Sequence, residues 1–437
     1  MAVSYVICDT FMKDRLLVGL DLGSANIRIA VAQFGATADK RLNLHFIGAA
    51  EVSSQGIAKG SITLLEDAVS SISACLEQAE RMVGVPITEA TVGIGGLCIS
   101  TQEAKGVIGV SRTDGEIRAE DVARVLESAR AVVNPANQEI LHVLPRGFSL
   151  DGQTGIKDPV GMQGIRLEVE AQIIQGLSSH VRNLTKAVFR TGLDISELVY
   201  TPLALAEAVT TSRQRELGVC ALSIGAVTSS LAVYEDGDLL RALTLPIGAD
   251  HITSDIAIGL RVSLDAAERI KLMYGSALVE NFPKRGEEID LQAFGSEQTE
   301  IVPQRYIAEI IEARVEEIFE KVDAELKKID RQGMLPAGVL LSGGGAKLPG
   351  MVEVGKRILR LPCALGSPAA SIGMAEIVQD PGFSTALGLV LWAYENERQT
   401  NGVALRRNKI KTFASRGGEL LIKLSHPIKN IFKSFIP

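Results

Sequence analysis

Three residues near the start of the chain, Asp21, Gly23 and Ser24, are of the types that bind phosphate and a hydrated cation. They lie in the stretch Val18–Ala32, VGLDLGSANIRIAVA, whose pattern predicts a strand, a tight turn and a second strand. Gly23 lets the backbone approach an anion, Ser24 can donate to phosphate oxygens, and Asp21 can hold a hydrated cation. An ordinary surface hairpin has the same pattern, so this turn alone does not decide the function.

Two further glycine-containing turns strengthen the case for a ligand cleft. Gly218–Tyr234, GVCALSIGAVTSSLAVY, repeats the strand–turn–strand pattern about two hundred residues later. Val339–Pro349, VLLSGGGAKLP, is an aliphatic strand that runs directly into three glycines, and a flat ligand can lie against such a backbone. Two hairpins of one design predict two related half-molecules that face a common cleft.

The composition is that of a globular protein with several domains. At 437 residues the chain is too long for one core, so we expect roughly two to four domains. Aromatic residues make up 4%, which predicts aliphatic cores. The five cysteines form no CxxC pair and the five histidines are dispersed, so spacing indicates neither a disulfide framework nor a zinc site. The sequence shows no secretory signal and no apolar run near the ~20 residues that span a bilayer.

Charge is distributed unevenly along the chain. Residues 401–437 carry eight Lys or Arg and one acid, so subtracting their +7 from the total of −7 leaves −14 for residues 1–400. An acidic body argues against broad nucleic-acid binding and directs attention to the basic tail.

The tail predicts an amphipathic helix that lies in a membrane surface. On a helical wheel, one sector collects the apolar residues and three lysines lie outside it: Leu421, Leu424, Ile428, Ile431, Phe432 and Phe435, with Lys423, Lys429 and Lys433. Pro427 would either kink this helix or begin a shorter second one. A helix docked on the body is the alternative, but the basic, glycine-containing stretch Arg406–Gly418 resembles a flexible tether and favours the anchor.

Between these motifs the chain alternates strands and helices and then changes character. A strand at Leu42–Val52, an amphipathic helix at Leu64–Met82 and a strand at Thr91–Ile99 indicate an α/β domain. Residues 100–178 predict a small inserted α+β domain with one short helix and an exposed, alternating strand at Gly164–Ile174. Such an insertion is tolerated when its own ends lie close together.

The three turns, in this order, resemble the two phosphate loops and the adenosine motif of the actin-like ATPase superfamily. Within it the chain resembles the FtsA family, bacterial division proteins that tie the tubulin-like FtsZ ring to the membrane. The most specific stretch is HVLPRGFSLDGQTGIKDPVGMQGIRLEVEAQII (142–174), which is similar to the extra domain of that family. PIGADHITSDIAIGL (246–260), AERIKLMYGSAL (267–278) and the tail support the resemblance.

The resemblance implies an α/β fold of the actin-like ATPase type, with two related halves around a nucleotide cleft and an inserted α+β subdomain. The implied organisation is subdomain 1A at 1–99 and 179–210, subdomain 1C at 100–178, subdomain 2A at 211–250 and 330–400, subdomain 2B at 251–329, a linker at 401–418 and an amphipathic membrane-targeting helix at 419–437.

The resemblance also implies ATP and Mg²⁺ as ligands, with Asp21 holding Mg²⁺ through the nucleotide. The implied nucleotide-binding residues are Asp21, Gly23, Ser24, Ala25, Asn26, Gly225, Thr228, Glu268, Lys271, Gly343, Gly344, Gly345 and Lys347. Glu268 and Lys271 match the ribose and adenine contacts of the family. The alternative for these two is an ordinary i,i+3 pair on a helix surface.

Three departures from the family pattern predict weak ATPase activity or none, and we assign no catalytic residue. Asn26 stands where many members have Lys. Ser223 replaces the acid of the second loop, in Ser223–Thr228 where the family commonly has Asp-Ile-Gly-Gly-Gly-Thr, and Thr201 stands where hydrolytic relatives have an acid. Phosphoryl transfer depends on positioning and electrostatics, so the loss of both acids should slow it by orders of magnitude.

The resemblance further implies partners and a location. The helix at 304–322 resembles the one that receives the tail peptide of FtsZ, and Arg305 and Arg314 are the residues expected to pair with its carboxylates. A solvated helix face is the alternative. The family also implies head-to-tail filaments through the inserted subdomain, contacts with other division proteins, no nucleic-acid partner, and a place on the cytoplasmic face of the cell membrane at the division site.

Two rival functions share the three turns. One is an active ATPase or kinase of the same superfamily, which Ser223 and Thr201 disfavour. The other is a PilM-like scaffold for pilus assembly, which would bind a peptide from an inner-membrane partner and would not need an anchor at 419–437.

Overall fold

The structure, a computed structural model, describes residues 15–36, 42–132, 137–283, 286–295, 301–366 and 379–411. Its first part forms strands β1 (Arg15–Leu22), β2 (Asn26–Ala36), β3 (Leu42–Ser53), β4 (Ile57–Ala58) and β5 (Ser61–Ile62), helix α1 (Leu65–Val83) and strand β6 (Glu89–Ile94). The inserted unit comprises β7 (Ile99–Gly109), α2 (Ala119–Val132), β8 (Gln138–Leu150), β9 (Gln153–Ile156) and β10 (Arg166–Leu177). The chain then returns through α3 (Ser178–Phe189), β11 (Asp194–Tyr200) and α4 (Thr201–Val209).

The remaining elements build the second half. They are α5 (Ser212–Leu217), β12 (Val219–Ile224), β13 (Ser229–Glu235), β14 (Asp238–Leu245), α6 (Ala249–Leu260), α7 (Leu264–Tyr274), β15 (Glu288–Asp290), β16 (Ile301–Pro303), α8 (Gln304–Lys327), β17 (Gly338–Ser342), α9 (Met351–Leu359), β18 (Cys363–Leu365) and α10 (Ser384–Lys411). The expected helix at Leu64–Met82 is α1, displaced by one residue. Gly84 ends it in the left-handed region at φ 74°, where glycine is favoured.

Two five-stranded sheets have the same arrangement, which is why the molecule has two related halves. The first has the order β3-β2-β1-β6-β11 and the second has the order β14-β13-β12-β17-β18. In each, three antiparallel strands are followed by two strands that add in parallel. The hairpins β1–β2 and β12–β13 therefore occupy equivalent places, as their sequences predict, and the expected α/β architecture is confirmed.

The inserted unit is a four-stranded antiparallel sheet, β7-β10-β8-β9, covered by α2. The stretch Gly164–Ile174 was expected to be an exposed strand, and this is wrong. Strand β10 is paired on both edges, and its apolar face meets α2 in a small core that contains Leu167, Val169, Ala171 and Ile173. The alternating pattern identified the apolar face of β10 correctly. It could not show that α2, which is distant in sequence, covers that face.

Strand β6 ends at Ile94, whereas the sequence predicted one strand from Thr91 to Ile99. The chain turns at Gly95 and Gly96, and Gly96 has a φ of 96°, which interrupts the strand. Ile99 begins β7 in the inserted unit. The two glycines thereby reach the cleft between the halves.

Helix α10 packs in the first half, although residues 330–400 were expected to belong to the second. Its Leu387, Leu389 and Val390 are buried in the core of the first sheet, against β1 and α4. Gly19 of β1 allows this close approach, because a Cβ at that position would lie 2.2 Å from the carbonyl oxygen of Ala386.

The expected linker at 401–418 needs a correction for its first part. Helix α10 continues to Lys411, because the stretch from 401 to 411 contains good helix formers and no proline. The rest of the linker and the amphipathic helix expected at 419–437 lie outside the described residues. Within the described part of the chain, no helix is both long and apolar enough to cross a membrane.

Candidate functional site

A cavity of about 570 Å³ lies in the cleft between the two halves. Its wall includes every nucleotide-binding residue expected from the sequence: Asp21, Gly23, Ser24, Ala25, Asn26, Gly225, Thr228, Glu268, Lys271, Gly343, Gly344, Gly345 and Lys347. These residues come from two hairpin turns, one helix and one glycine run that are far apart in sequence. The volume is within the usual range of small-molecule sites, about 300–1,000 Å³.

The two hairpin turns are built alike, and each depends on its glycine. A Cβ at Gly23 would lie 2.5 Å from the carbonyl oxygen of Asn26. A Cβ at Gly225 would lie 2.8 Å from the carbonyl oxygen of Thr228, to which the Gly225 N–H donates over 2.9 Å. Both glycines line the cavity and carry no side chain, so an anionic ligand can approach the backbone of each turn.

The glycine run packs against Ile224, the last residue of β12 before the second turn. Gly343 has a φ of 82°, and a Cβ there would lie 2.5 Å from the carbonyl oxygen of Ile224. A Cβ at Gly345 would lie 2.7 Å from the Ile224 side chain, whereas one at Gly344 would meet nothing within 4 Å. Two of the three glycines are thus required by close packing, and the third leaves open space.

Asp21 lies in the cavity wall at the end of β1. Burial raises the pKa of its carboxyl from 3.8 to about 6, and the positive charge of Arg28 lowers that pKa in part. Arg28 is the register partner of Asp21 in the hairpin. Asp21 is therefore a carboxylate that a bound cation would keep ionised.

Arg28 and Glu51 also line the cavity, and the sequence reasoning missed both. Arg28 Nε donates to Glu51 Oε2 over 2.6 Å, and its Cζ lies 5.6 Å from the centre of the Phe383 ring. Arg28 is two residues after Asn26 on β2, so both side chains lie on one face of the strand. That alternation was the signal that could have identified Arg28 as a cation beside the first turn.

Glu268 and Lys271 form an ion pair of 2.6 Å at the opposite end of the cavity. The Lys271 side chain is only 8% exposed, so the alternative of an ordinary surface pair is wrong. Ile252, Leu272 and Leu348 also line the cavity. A half-exposed carboxylate held by a buried lysine, in a cavity with apolar side chains, is the type of surface that receives a nucleoside.

The second cation of the expected set, Lys347, forms an ion pair with Asp380. Burial by itself would raise the pKa of the Asp380 carboxyl, but hydrogen bonds from Lys347 and from the Gly382 N–H outweigh it and hold that pKa below its usual value. Lys347 therefore faces the cavity as part of an ion pair.

Ser223 and Thr201 both line the cavity. Each stands at a position where the resemblance implies an acidic residue in hydrolytic relatives. Thr201 begins α4, and a Cβ on Gly95 would lie 2.5 Å from its Oγ1. The acidic residues of the cavity wall are Asp21, Glu51, Asp250 and Glu268. In the described part of the chain, no three His, Cys, Asp or Glu side chains are grouped so as to hold a metal ion by themselves.

Arg305 and Arg314 lie on α8, outside the cleft, and both make contacts within the chain. Arg305 donates to the carbonyl oxygens of Val279 and Phe282 and to Glu309. Arg314 donates to both carboxylate oxygens of Asp255, over 2.5 and 2.9 Å, and pairs with Glu317. An acidic partner would have to compete with these contacts.

Comparison with known proteins gives concordant results. A family model described as "Cell division protein FtsA" matches residues 220–388, and one described as "SHS2 domain inserted in FTSA" matches residues 96–175, the region of the inserted sheet. The chain is 38% identical over 386 residues to cell division protein FtsA of Bacillus subtilis (strain 168), covering 88% of this chain and 85% of that protein.

A second relative and a solved structure extend these likenesses. Cell division protein FtsA of Pseudomonas aeruginosa is 34% identical over 391 residues, covering 90% of this chain and 92% of that protein. A chain of the PilM-PilN type IV pilus biogenesis complex superposes with a TM-score of 0.62 over 86% of this chain and 97% of that one. Its sequence identity is 16%, so this likeness concerns the fold.

Proposed function

The chain belongs to the FtsA family of cell division proteins, and on this premise we propose that it binds ATP, polymerises on the cytoplasmic face of the cell membrane at the division site, and tethers the FtsZ ring there. The observation that carries the proposal is the single cleft that collects the residues of both hairpin turns, the Glu268–Lys271 pair and the glycine run. Contacts with other division proteins and with further copies of the chain follow from the family.

The residues of the cleft fit ATP and Mg²⁺. The two turns offer backbone N–H groups and the hydroxyls of Ser24 and Thr228 to phosphates, and Asp21 offers a carboxylate to the cation. Gly344 leaves space for a flat base, and Glu268 is an acceptor for ribose hydroxyls. Bound Mg²⁺ would neutralise phosphate charge.

We propose that hydrolysis is slow and that the nucleotide acts as a structural ligand or an assembly switch. Ser223 and Thr201 supply no carboxylate to position a water molecule or a metal ion. A ligand that binds the closed cleft stabilises it by mass action. The active ATPase or kinase therefore remains the rival that a rapid turnover would favour.

The affinity for MgATP should fall as the pH decreases from 7.5 to 5. Because the pKa of Asp21 is raised to about 6, each pH unit below that value leaves about tenfold less carboxylate for the cation. The stability of the ligand-free chain depends on pH in the opposite direction. The native state holds this proton up to about pH 6, so its stability decreases as the pH rises from about 4 to 6.

Equilibrium titration of the full chain with ATP, with and without Mg²⁺, measures this effect. The control is Asp21→Asn, which should bind MgATP more weakly at pH 7.5 and retain only the pH dependence of ATP itself. Equal pH profiles for the two proteins would show that Asp21 does not hold the cation. Failure of the wild-type chain to bind ATP at any pH would refute the proposed function.

An acidic peptide from the C-terminus of FtsZ should bind at α8, and Arg305→Ala or Arg314→Ala should weaken it about two- to fivefold. Fluorescence anisotropy of a labelled peptide measures this binding. Asp255→Asn is the matched control, because it removes the negative charge and one of the two acceptors that hold Arg314 and keeps the arginine charge, so the peptide should bind at least as tightly as to wild type. Unchanged binding in both arginine variants would place the peptide elsewhere.

A further inference from the structure

The inserted unit is joined to the first half by the chain, but it also contacts the second half along strand β14. Strand β14 is at the edge of the second sheet. Thr101 of β7 donates to the carbonyl oxygen of Ala242 in β14 over 2.5 Å. Gln172 of β10 donates to the carbonyl oxygen of Leu240 over 3.3 Å. An edge strand leaves backbone groups unpaired, and here side chains of the inserted unit bind two of them.

A third contact lies at the beginning of β14. Lys157, the residue after β9, places its ammonium nitrogen 2.5 Å from Asp238 Oδ2 and 3.0 Å from the carbonyl oxygen of Asp236. The Asp238 side chain is 15% exposed, so the pair is partly shielded from water. Asp238, Leu240 and Ala242 alternate along the strand. The inserted unit therefore contacts β14 in a row of three successive places.

The row continues to the nucleotide cavity. Tyr200, the residue before α4, is 1% exposed, and its hydroxyl oxygen lies 3.3 Å from Thr244 Oγ1 of β14. Thr244 Oγ1 lies 3.2 Å from Ser230 Oγ, and both Ser230 and Thr201 line the cavity. Asp238 precedes Thr244 by six residues, about 20 Å along a strand. The far end of the row therefore lies outside the cavity wall.

The inserted unit is also fixed to the first half. His142 of β8 is 8% exposed, and its Nε2 accepts from the Tyr200 N–H over 3.0 Å. Where the chain enters and leaves the unit, the Leu177 N–H donates to the carbonyl oxygen of Cys98 over 3.1 Å. Because these contacts hold the unit to the first half, a rotation that opens the cleft moves β14 against the unit.

We propose that the inserted unit braces the cleft, with Thr101, Gln172 and Lys157 as positioning residues that hold the second half at the spacing a bound nucleotide needs. The inference rests on the proposed nucleotide-binding function and adds three residues outside the cavity wall. Opening of the cleft breaks their contacts with β14, so these contacts slow the release of nucleotide. Domain closure around a ligand controls release in many nucleotide-binding proteins.

The test is the rate at which the full chain releases N-methylanthraniloyl-ATP, a fluorescent analogue, when excess ATP is added in a stopped-flow mixer. The double variant Thr101→Val with Lys157→Met removes two donors to β14 and nearly keeps the size of both side chains. We expect release to be about fivefold faster, since one hydrogen bond and one half-exposed ion pair are lost. The association rate should change little, and melting curves should show the variant folded.

Exchange of two charges tests the contact itself. Lys157→Asp places a second carboxylate beside Asp238, and it should accelerate release more than Lys157→Met does. Adding Asp238→Lys to this variant rebuilds an ion pair with the charges exchanged. The rate should then return toward that of wild type, because the two positions are coupled. A rate as fast as that of Lys157→Asp alone would show that the pair does not hold the halves together.

Two variants inside the inserted unit are matched controls. Lys105→Met removes an ion pair of 2.6 Å with Glu170, and Ser128→Ala removes a hydrogen bond to the carbonyl oxygen of Val107. Both contacts lie within the unit, so release should equal that of wild type. Unchanged release in the double variant, or equal acceleration in the controls, would overturn the inference. A wild-type chain that binds no ATP would overturn the proposed function and this inference with it.

Discussion

A chain that ends at Gly418 is expected to stay in solution when the full chain sediments with anionic lipid vesicles. The removed segment, 419–437, carries the apolar sector and three of the lysines of the tail. Each lysine near an anionic leaflet contributes about 1 kcal/mol, so three correspond to roughly a hundredfold in affinity. Burial of the apolar sector adds to this, and one anchor of this kind suffices for reversible binding.

ATP should increase sedimentation of the full chain and leave the shortened chain unaffected. An assembled filament presents many anchors to one surface, so weak individual anchors combine into strong attachment. Co-sedimentation of both chains, with and without ATP, measures the effect. An increase with ATP would connect the cleft to the membrane through assembly.

Two variants of the full chain serve as controls. Ile431→Glu with Phe432→Glu disrupts the apolar sector and keeps the lysines, and it should remain in solution like the shortened chain. Arg406→Gln with Arg407→Gln changes basic residues upstream of the segment and should still sediment. If the shortened chain sediments as well as the full one, the body carries the membrane site. If both stay in solution, the segment is no anchor and a PilM-like scaffold becomes the better proposal.

Gly388→Ala should destabilise the fold more than any conservative surface change. Gly388 lies where α10 crosses α4, and a Cβ there would lie 1.7 Å from the carbonyl oxygen of Ala204 and 2.4 Å from its carbon. The clash is with main chain, so no rotamer relieves it and the helices must separate. Such overpacking typically costs about 1–3 kcal/mol, and we expect about 3 kcal/mol or more here despite the better helix propensity of alanine.

The measurement is the midpoint of thermal unfolding, which should fall by about 3 °C or more for a chain of this length. Gly109→Ala is the control, because its Cβ would meet nothing within 4 Å and its backbone is not left-handed, so the midpoint should change little. Since α4 begins at Thr201 in the cavity wall, separation of α4 from α10 should also weaken ATP binding. Equal midpoints for both variants would show that the helices do not cross this closely.

Much of the cleft is predictable from sequence because its chemistry is local. The turn Asp21–Asn26 needs Gly23 for a close contact within its own segment, and that contact is present, whereas Gly343 and Gly345 are required by contacts with Ile224, which is distant in sequence. Helix periodicity likewise places α1 within a residue of its observed bounds. The similar patterns of the two hairpins predict the two matching sheets.

Which surfaces cover one another depends on contacts that form only on folding. Alternation shows that β10 has an apolar face, and composition shows that α10 begins with apolar residues, but neither shows that α2 covers β10 or that the first half receives α10. The same limit applies to polar side chains. In the sequence, Glu268 and Lys271 cannot be distinguished from an ordinary pair on a helix surface. In the folded chain the Lys271 side chain is buried and donates to Thr253 of the neighbouring helix.

The sequence alone specifies the first hairpin turn and helix α1, because each depends on residues within one or two turns of chain, and the amphipathic helix at 419–437 stays a prediction. The partners of Arg28, Lys271 and Thr253 follow only from the folded chain. The free energy of a buried charge or hydroxyl depends on groups that come near only after folding, and those groups are separated in sequence by up to dozens of residues. Their assignment therefore required the folded cleft.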